Sequence, residues 1–284
     1  MTKLPKKFWE RIVRKIQNKL IVKGGFPCYN STNIHMGRFC QPGSGEMAIK
    51  TAFLRWMAEK TEVCMKKIKE LMEQYKHGWA FLYILIYVPW YLYLERTVVT
   101  EFHVMHTWID DIIPFNPYFI LPYGFWFLYV TFMLVFLFLK DADEFYRFGL
   151  YLALGMSASL FICQIFPNGT NLRPVNLDPH KNWASFVVSL IYKADTNTNV
   201  FPSIHVYNAI GTHIALVKSR FFVHHRGVKA FSLLAMISIC LSTMFLKQHS
   251  ALDVIGAAVL CYLTYQLVYA RVALPIKERK KITV

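Results

Sequence analysis

From Trp79 onward the chain is a succession of long apolar runs almost free of charge, and this restricts its possible folds more than any other feature. Each run approaches the roughly 20 residues a helix needs to cross about 30 Å of hydrocarbon. Backbone N–H and C=O groups inside lipid must be paired within the protein, so such runs are read as helices rather than open strands. Six spans are expected, at 79–94, 117–139, 145–166, 200–217, 230–247 and 251–271. The fold class is therefore all-α integral membrane, a six-transmembrane-helix bundle with a basic N-terminal extension that is amphipathic or disordered. Composition agrees, since 55% of the 284 residues are apolar and 16% aromatic.

A net charge of +15 would suggest nucleic acid in a soluble protein, but its distribution argues otherwise. Sixteen of the 32 Lys and Arg residues precede Gly78. Others cluster at Lys140 and Arg147, in the loop Lys218 to Lys229, and in the tail from Arg271 to Lys281. The alternate loops hold only Arg96, Arg173, Lys181, Lys193 and Lys247. Cytoplasmic loops carry the excess of Lys and Arg, so both termini are expected in the cytoplasm. The protein is then a multi-pass protein of the cell membrane. The charge reads as topology, and no nucleic-acid partner is expected.

Four segments are expected: a basic extension over 1–64, an amphipathic lead-in over 65–78, the membrane domain over 79–271 and a basic tail over 272–284. In the extension, Phe8, Trp9, Ile12, Val13, Ile16, Leu20 and Ile21 recur at helical spacing among basic residues, the pattern of a helix lying on a membrane surface. An unstructured basic arm is the alternative, because Asn30 to Gly45 has no periodicity. Met65, Ile68, Leu71, Met72 and Tyr75 give the lead-in its apolar stripe. The longest non-helical segment is expected from Pro167 to Val200. The six cysteines show no metal-ligand spacing, so neither a metal site nor any cofactor is expected.

Three segments fall on the outer side of this topology: Asn171-Leu172-Arg173-Pro174, Phe201-Pro202-Ser203-Ile204-His205, and Lys247-Gln248-His249 followed by Asp253. His249 and Asp253 are i and i+4, one turn apart on one helical face. A carboxylate there can hold Nδ1–H of the imidazole and leave Nε2 free as a nucleophile; a helix-start pair that merely satisfies itself is the bland alternative. Pro202 suits a first helical turn, whose free amides and the Ser203 hydroxyl favour an anion. His205 would then serve as acid, or be an ordinary interfacial histidine. Arg173 adds a forked cation suited to phosphate oxygens. His103, His106 and His213 read as interfacial or packed residues. Asn168-Gly169-Thr170 fits a glycosylation acceptor, a common chance match.

These segments resemble the three motifs of the type 2 phosphatidate phosphatase superfamily, whose last motif is Ser-Arg, five residues, His, three residues, Asp. Ser242, His249 and Asp253 keep that spacing, and the resemblance covers about residues 79 to 271. It implies His249 as nucleophile, Asp253 as its orienting acid, His205 as leaving-group acid, and Ser203 and Arg173 as phosphate holders. Three positions depart from the family pattern: Phe166 replaces a Lys, Ile204 a Gly and Thr243 an Arg. Lys247, i+4 from Thr243, is expected to restore a cation. The Pro-Ser-apolar-His segment and Asp110-Asp111-Ile112-Ile113-Pro114-Phe115 resemble the inositol phosphorylceramide synthase branch, which transfers a phospho-headgroup.

The expected activity is thus that of a lipid phosphatase or phosphotransferase working through a phosphohistidine at the extracytoplasmic face. Its partners are a lipid phosphate or phospholipid substrate and the membrane itself; no signal defines an oligomeric state. A transporter or scaffold using the His-Asp pair as a proton relay is the rival from another class. An acidic residue deep in a span would favour that rival, and none lies between Trp79 and Leu94 or between Ala257 and Ala270. The topology predicts that cysteines introduced at Asn176 and Asn197 react with an impermeant thiol reagent added outside sealed cells. One at Val223 should stay unlabelled, and its labelling would invert the arrangement.

Overall fold

The computed structural model describes residues 44–98 and 101–270, with side chains from residue 54 onward. The surface helix expected at 8–21 and the tail at 272–284 lie outside the described residues. The chain forms two compact units, Met1–Met65 and Lys66–Val284. Helix α1 spans Ser44–Gln74.

The second unit continues with a 3-10 segment (Lys76–Tyr83), α2 (Ile84–Thr97), a short strand β1 (His103–Val104) and α3 (Trp108–Ile112). Then come a 3-10 turn (Pro117–Phe119), α4 (Ile120–Lys140), α5 (Ala142–Ile165), β2 (Asn168–Gly169) and α6 (Trp183–Ala194). The described residues close with α7 (Ile204–Lys218), a 3-10 turn (Arg220–Phe222), α8 (Arg226–Phe245), α9 (Ala251–Tyr265) and a π turn (Gln266–Ala270).

Four helical stretches among the described residues are long and apolar enough to cross a membrane: Pro117–Lys140, Ala142–Ile165, Arg226–Phe245 and Ala251–Ala270. They also expose large apolar side chains, Phe127, Leu128 and Phe132 on α4 and Leu234, Ile255 and Val259 on α8 and α9. Such outward faces suit a hydrocarbon solvent and not water. This is the surface of a membrane-embedded protein.

The other two expected spans are shorter helices. At 14 residues, α2 has Pro89 inside it, but it continues directly from the 3-10 segment, and a collinear path over 76–97 would extend roughly 37 Å. The 15-residue α7 extends only about 22 Å. It is packed against α4, α5, α8 and α9, with Val206, Tyr207, Ala209, Gly211, Thr212 and Ala215 buried. A helix sheathed by protein is not held to the thickness of the lipid.

The loop expected at 167–200 contains a helix after all. In α6, Asn182 caps the start by accepting from the Ser185 N–H, and Ala184 and Val188 are buried with Ile191 packed behind them. Their i, i+4, i+7 spacing was present in the sequence.

Tight packing centres α7. Tyr151 of α5 and Tyr207 of α7 stack with centroids 4.9 Å apart, each ring lying over a glycine of the other helix. A Cβ at Gly155 would fall 1.9 Å from the Tyr207 ring, and one at Gly211 2.3 Å from Tyr151. The Tyr207 hydroxyl donates to Tyr151 O (2.6 Å) and is bonded to Thr264 (3.0 Å), so the ring cannot retreat. Gly155→Ala gains about 1 kcal/mol of helix propensity but incurs an overpacking cost of about 1–3 kcal/mol. It is predicted to lower the thermal midpoint in detergent. Gly124→Ala, where nothing lies within 4 Å, should raise it; equal shifts in one direction would refute the packing argument.

Candidate active site

The site is assembled at the end of the bundle where α7 and α9 begin. Ser250 caps α9 by accepting from Leu252 N–H (3.2 Å), and Asp253 Oδ2 accepts from Ser250 N–H (2.8 Å). The same Oδ2 accepts from His249 Nδ1–H at 3.3 Å. A carboxylate only accepts, so the proton lies on Nδ1 and the Nε2 lone pair is free. Nε2 is 3.4 Å from Nδ1 of His205, which must then be the donor. Asp253, His249 and His205 form one directed chain. Asp253 has no solvent exposure and His249 is buried.

Ser203 is the N-cap of α7, its Oγ accepting from Val206 N–H (3.4 Å). Its own N–H donates to Asp253 O (3.2 Å), which ties the two helix starts together. The His205 ring lies against Tyr123 (4.8 Å) and Trp126 (4.5 Å) of α4. Sequence reasoning missed this wall; its signal was an i, i+3 aromatic pair at the head of a span.

Arg173 is held firmly. Its Nη1 donates to Tyr192 O (3.3 Å) and Asp195 O (2.9 Å), its Nη2 to Thr196 O (2.7 Å) and Gln248 Oε1 (2.5 Å). The guanidinium lies 4.5 Å over the Tyr192 ring. Behind it, Tyr91 donates to Asp195 (3.1 Å), and Glu95 accepts from Thr196. Burial, then the Glu95 charge, pushes the Asp195 carboxyl up despite Arg173.

Lys247 has a left-handed backbone, φ 54°, closing the turn after α8. Its ammonium donates to Asp110 O (2.6 Å) and Ile113 O (2.5 Å), the free carbonyls at the end of α3. It also lines a cavity of about 420 Å³ with His106, Asp111 and Asn171; neither His205 nor His249 lines this space.

Asp110 makes the least expected contribution. It is 2% exposed. Oδ2 accepts from Ser250 Oγ (2.5 Å), Thr107 N–H (2.8 Å) and Thr107 Oγ1 (3.1 Å), and Oδ1 accepts from Ala251 N–H (2.8 Å). α3 thus grips the start of α9 from outside. Burial pushes this carboxyl up, but the hydrogen bonds from Ser250, Ala251 and Thr107 outweigh it and hold it below the usual carboxylate range.

The structure agrees with discounting the glycosylation match at Asn168. Asn168 and Thr170 have no exposure, and the Asn168 amide donates to Phe166 O (2.7 Å) while its Oδ1 accepts from Phe201 N–H (2.7 Å). It braces the approach to Ser203. His106 pairs with Asp111, His213 with Ser232, and His103 stacks on Phe166. Among the described residues no group of three or more His, Cys, Asp or Glu side chains could hold a metal ion.

Asp110→Asn keeps the shape but must turn an NH2 toward at least one N–H or O–H donor. It is predicted to lower stability by about 1.5–3 kcal/mol, the range for hydrogen bonds to a charged group. The folded-state pKa of Asp110 is depressed, so its contribution is present above the unfolded value near about 3.9 and lost as pH falls through the folded one. The gap in thermal midpoint between wild type and variant should therefore hold steady above about pH 5 and narrow in more acid buffer. A gap that widens on acidification would contradict the assignment.

Compared with known proteins, residues 148–275 match a family model described as the PAP2 superfamily. No curated protein and no solved structure matches the chain. The matched stretch contains Arg173, Ser203, His205, Lys247, His249 and Asp253. The match supports the PAP2 superfamily for this region, and with it a phosphatase or phosphotransferase activity of lipid type.

Proposed function

We propose that the protein is a membrane lipid phosphatase or phosphotransferase in which His249 takes the phosphoryl group from a lipid substrate at the extracytoplasmic face. The observation that carries the reading is the directed chain Asp253–His249–His205, with a proton on the side of His249 away from its nucleophilic nitrogen. The Nε2 lone pair attacks phosphorus, the bond from phosphorus to the leaving oxygen breaks, and His205 supplies the proton that oxygen needs. Water, or the hydroxyl of a second lipid, then attacks phosphorus, its proton passing to His205, and the phosphorus–nitrogen bond breaks to release His249.

In-line displacement puts the attacking and leaving atoms on opposite sides of phosphorus. The 3.4 Å contact between the histidines therefore opens as substrate enters. Asp253 holds His249 in place, whereas His205 is backed by the rings of Tyr123 and Trp126, against which it can turn. Phosphate is held by Ser203 at the start of α7 and by Arg173, whose Nε–H is still unpaired; Lys247, whose ammonium is bonded to Asp110 O and Ile113 O, contributes charge only. Six membrane-crossing helices with cytoplasmic termini, α2 and α7 included, would put this end outside. Transfer of a phospho-headgroup, as in the inositol phosphorylceramide synthase branch, uses the same first half-reaction.

The two histidines are predicted to fail differently. His249→Ala should abolish turnover, because no other group takes the phosphoryl. His205→Ala removes a proton donor, worth about 10²- to 10⁴-fold on a lipid alkoxide leaving group. It should be much milder on an aryl phosphate. Asp253→Asn should be intermediate. Release of phosphate or headgroup by each folded variant on both substrates provides the check. Substantial activity in His249→Ala would refute the phosphohistidine mechanism, whereas a wild type that releases neither product would favour the proton-relay transporter.

A further inference from the structure

Gln248 is 3% exposed and sits on the turn between α8 and α9, immediately before His249. Its N–H and that of His249 both donate to Thr243 O, at 3.0 and 3.2 Å, so the two residues share one tight turn. Its side chain cannot be placed either way round. Oε1 faces Arg173 Nη2 at 2.5 Å, and a guanidinium only donates, so the carbonyl end must be the one against it. The NH2 end is thereby aimed away from Arg173, and it has no hydrogen-bond partner among the described residues. Arg173 Nε–H is likewise buried and unpaired.

A buried donor left without an acceptor costs about 1–3 kcal/mol, and folded proteins pair nearly all such groups. Here two orphaned donors belong to side chains hydrogen-bonded to each other, and one of them is the neighbour of His249. Donors without acceptors call for a ligand rich in lone pairs, and a cation would be repelled. We propose that Gln248 is a phosphate-binding residue: its NH2 donates to a non-bridging oxygen of the substrate phosphoryl group, and Arg173 aims it by holding Oε1. The inference rests on the reading of this site as a phosphoryl-transfer centre. It gives Arg173 two tasks, orienting Gln248 through Nη2 and meeting the anion through Nε.

The test uses the full chain in detergent, with inorganic phosphate and orthovanadate as competitive probes against an aryl phosphate. Gln248→Glu keeps an acceptor for Arg173 but loses the donor and adds a negative charge. Gln248→Met keeps the approximate length and loses both polar ends. Each is expected to raise the inhibition constant of both anions by at least about tenfold, equivalent to about 1.4 kcal/mol, with a matching loss in kcat/KM. A purely structural glutamine would shift the thermal midpoint and leave the inhibition constants unchanged. A structure of the wild type with orthovanadate decides independently of how the variants fold: Gln248 Nε2 should lie within about 3.2 Å of a vanadate oxygen. Unchanged anion inhibition in either folded variant, or a vanadate complex in which Gln248 bonds only to solvent, overturns the proposal while the phosphoryl-transfer reading stands. A wild type that hydrolyses nothing and binds neither anion overturns that reading, and this inference falls with it.

Discussion

The start of α9 is the point on which the site depends. The first turn of any helix leaves backbone N–H groups without intrahelical partners, and here three side chains answer them. Ser250 accepts from Leu252, Asp253 accepts from Ser250, and Asp110 accepts from Ala251. Two of the three are carboxylates, which the positive end of the helix dipole favours. His249 stands one residue before the cap, so whatever fixes the cap fixes its imidazole. Asp253 joins the two tasks in one atom, since its Oδ2 serves both Ser250 N–H and His249 Nδ1–H. Loss of the cap and loss of the tautomer are therefore the same event.

This local order is transmitted to the rest of the bundle through α7. Ser203 N–H donates to Asp253 O, so the starts of α7 and α9 move together. Further along, the interlocked Tyr151, Gly155, Tyr207 and Gly211 set how closely α5 approaches α7. The division of labour follows the solvent. Along the shaft, apolar side chains face outward and contacts depend on close packing. At the end where α7 and α9 begin, buried polar groups are concentrated; many are paired within the protein, and Gln248 Nε2 and Arg173 Nε are not. The proposed chemistry on a lipid phosphate would need such a placement, because a lipid's phosphorus lies at the membrane interface and not in the hydrocarbon.

How far the sequence could foresee this depended on the range of each interaction. The His249–Asp253 pairing was legible because it needs only the 3.6-residue period, and the apolar runs foretold the helices of α4, α5, α8 and α9 nearly to their ends. α7 was expected as a full span; its 15 residues pack against four other helices, and apolar content reports burial without saying whether lipid or protein does the burying. α6 went unread because its apolar stripe lies inside a segment rich in turn residues. Asp110 reaches Ser250 and Ala251 across 140 and 141 positions, and Arg173 reaches Gln248 across 75. No local pattern encodes such contacts. Arg173 was expected to offer its fork to phosphate, yet both Nη atoms are spent on three backbone carbonyls and a glutamine. The carbonyls left free near the end of α6 attract a guanidinium in any helical protein, and only the fold reveals that they lie within its reach.

The inequality of the two histidines arises from the same source. His249 is bonded on one side to a carboxylate that is itself locked into a helix cap, so rotating the ring would leave Asp253 with an unmet charge. The His205 ring makes no hydrogen bond among the described residues except the one to His249; the rest of it lies against Tyr123 and Trp126. Stacked aromatic contacts are worth about 0.5–1.5 kcal/mol beyond burial and vary gently with angle, whereas a charge-assisted hydrogen bond is stronger and directional. In the proposed mechanism, a phosphoryl group entering between the two nitrogens would displace the His205 ring and leave His249 in place. That is what in-line transfer asks for: a fixed nucleophile, and an acid that can follow the leaving oxygen as it departs.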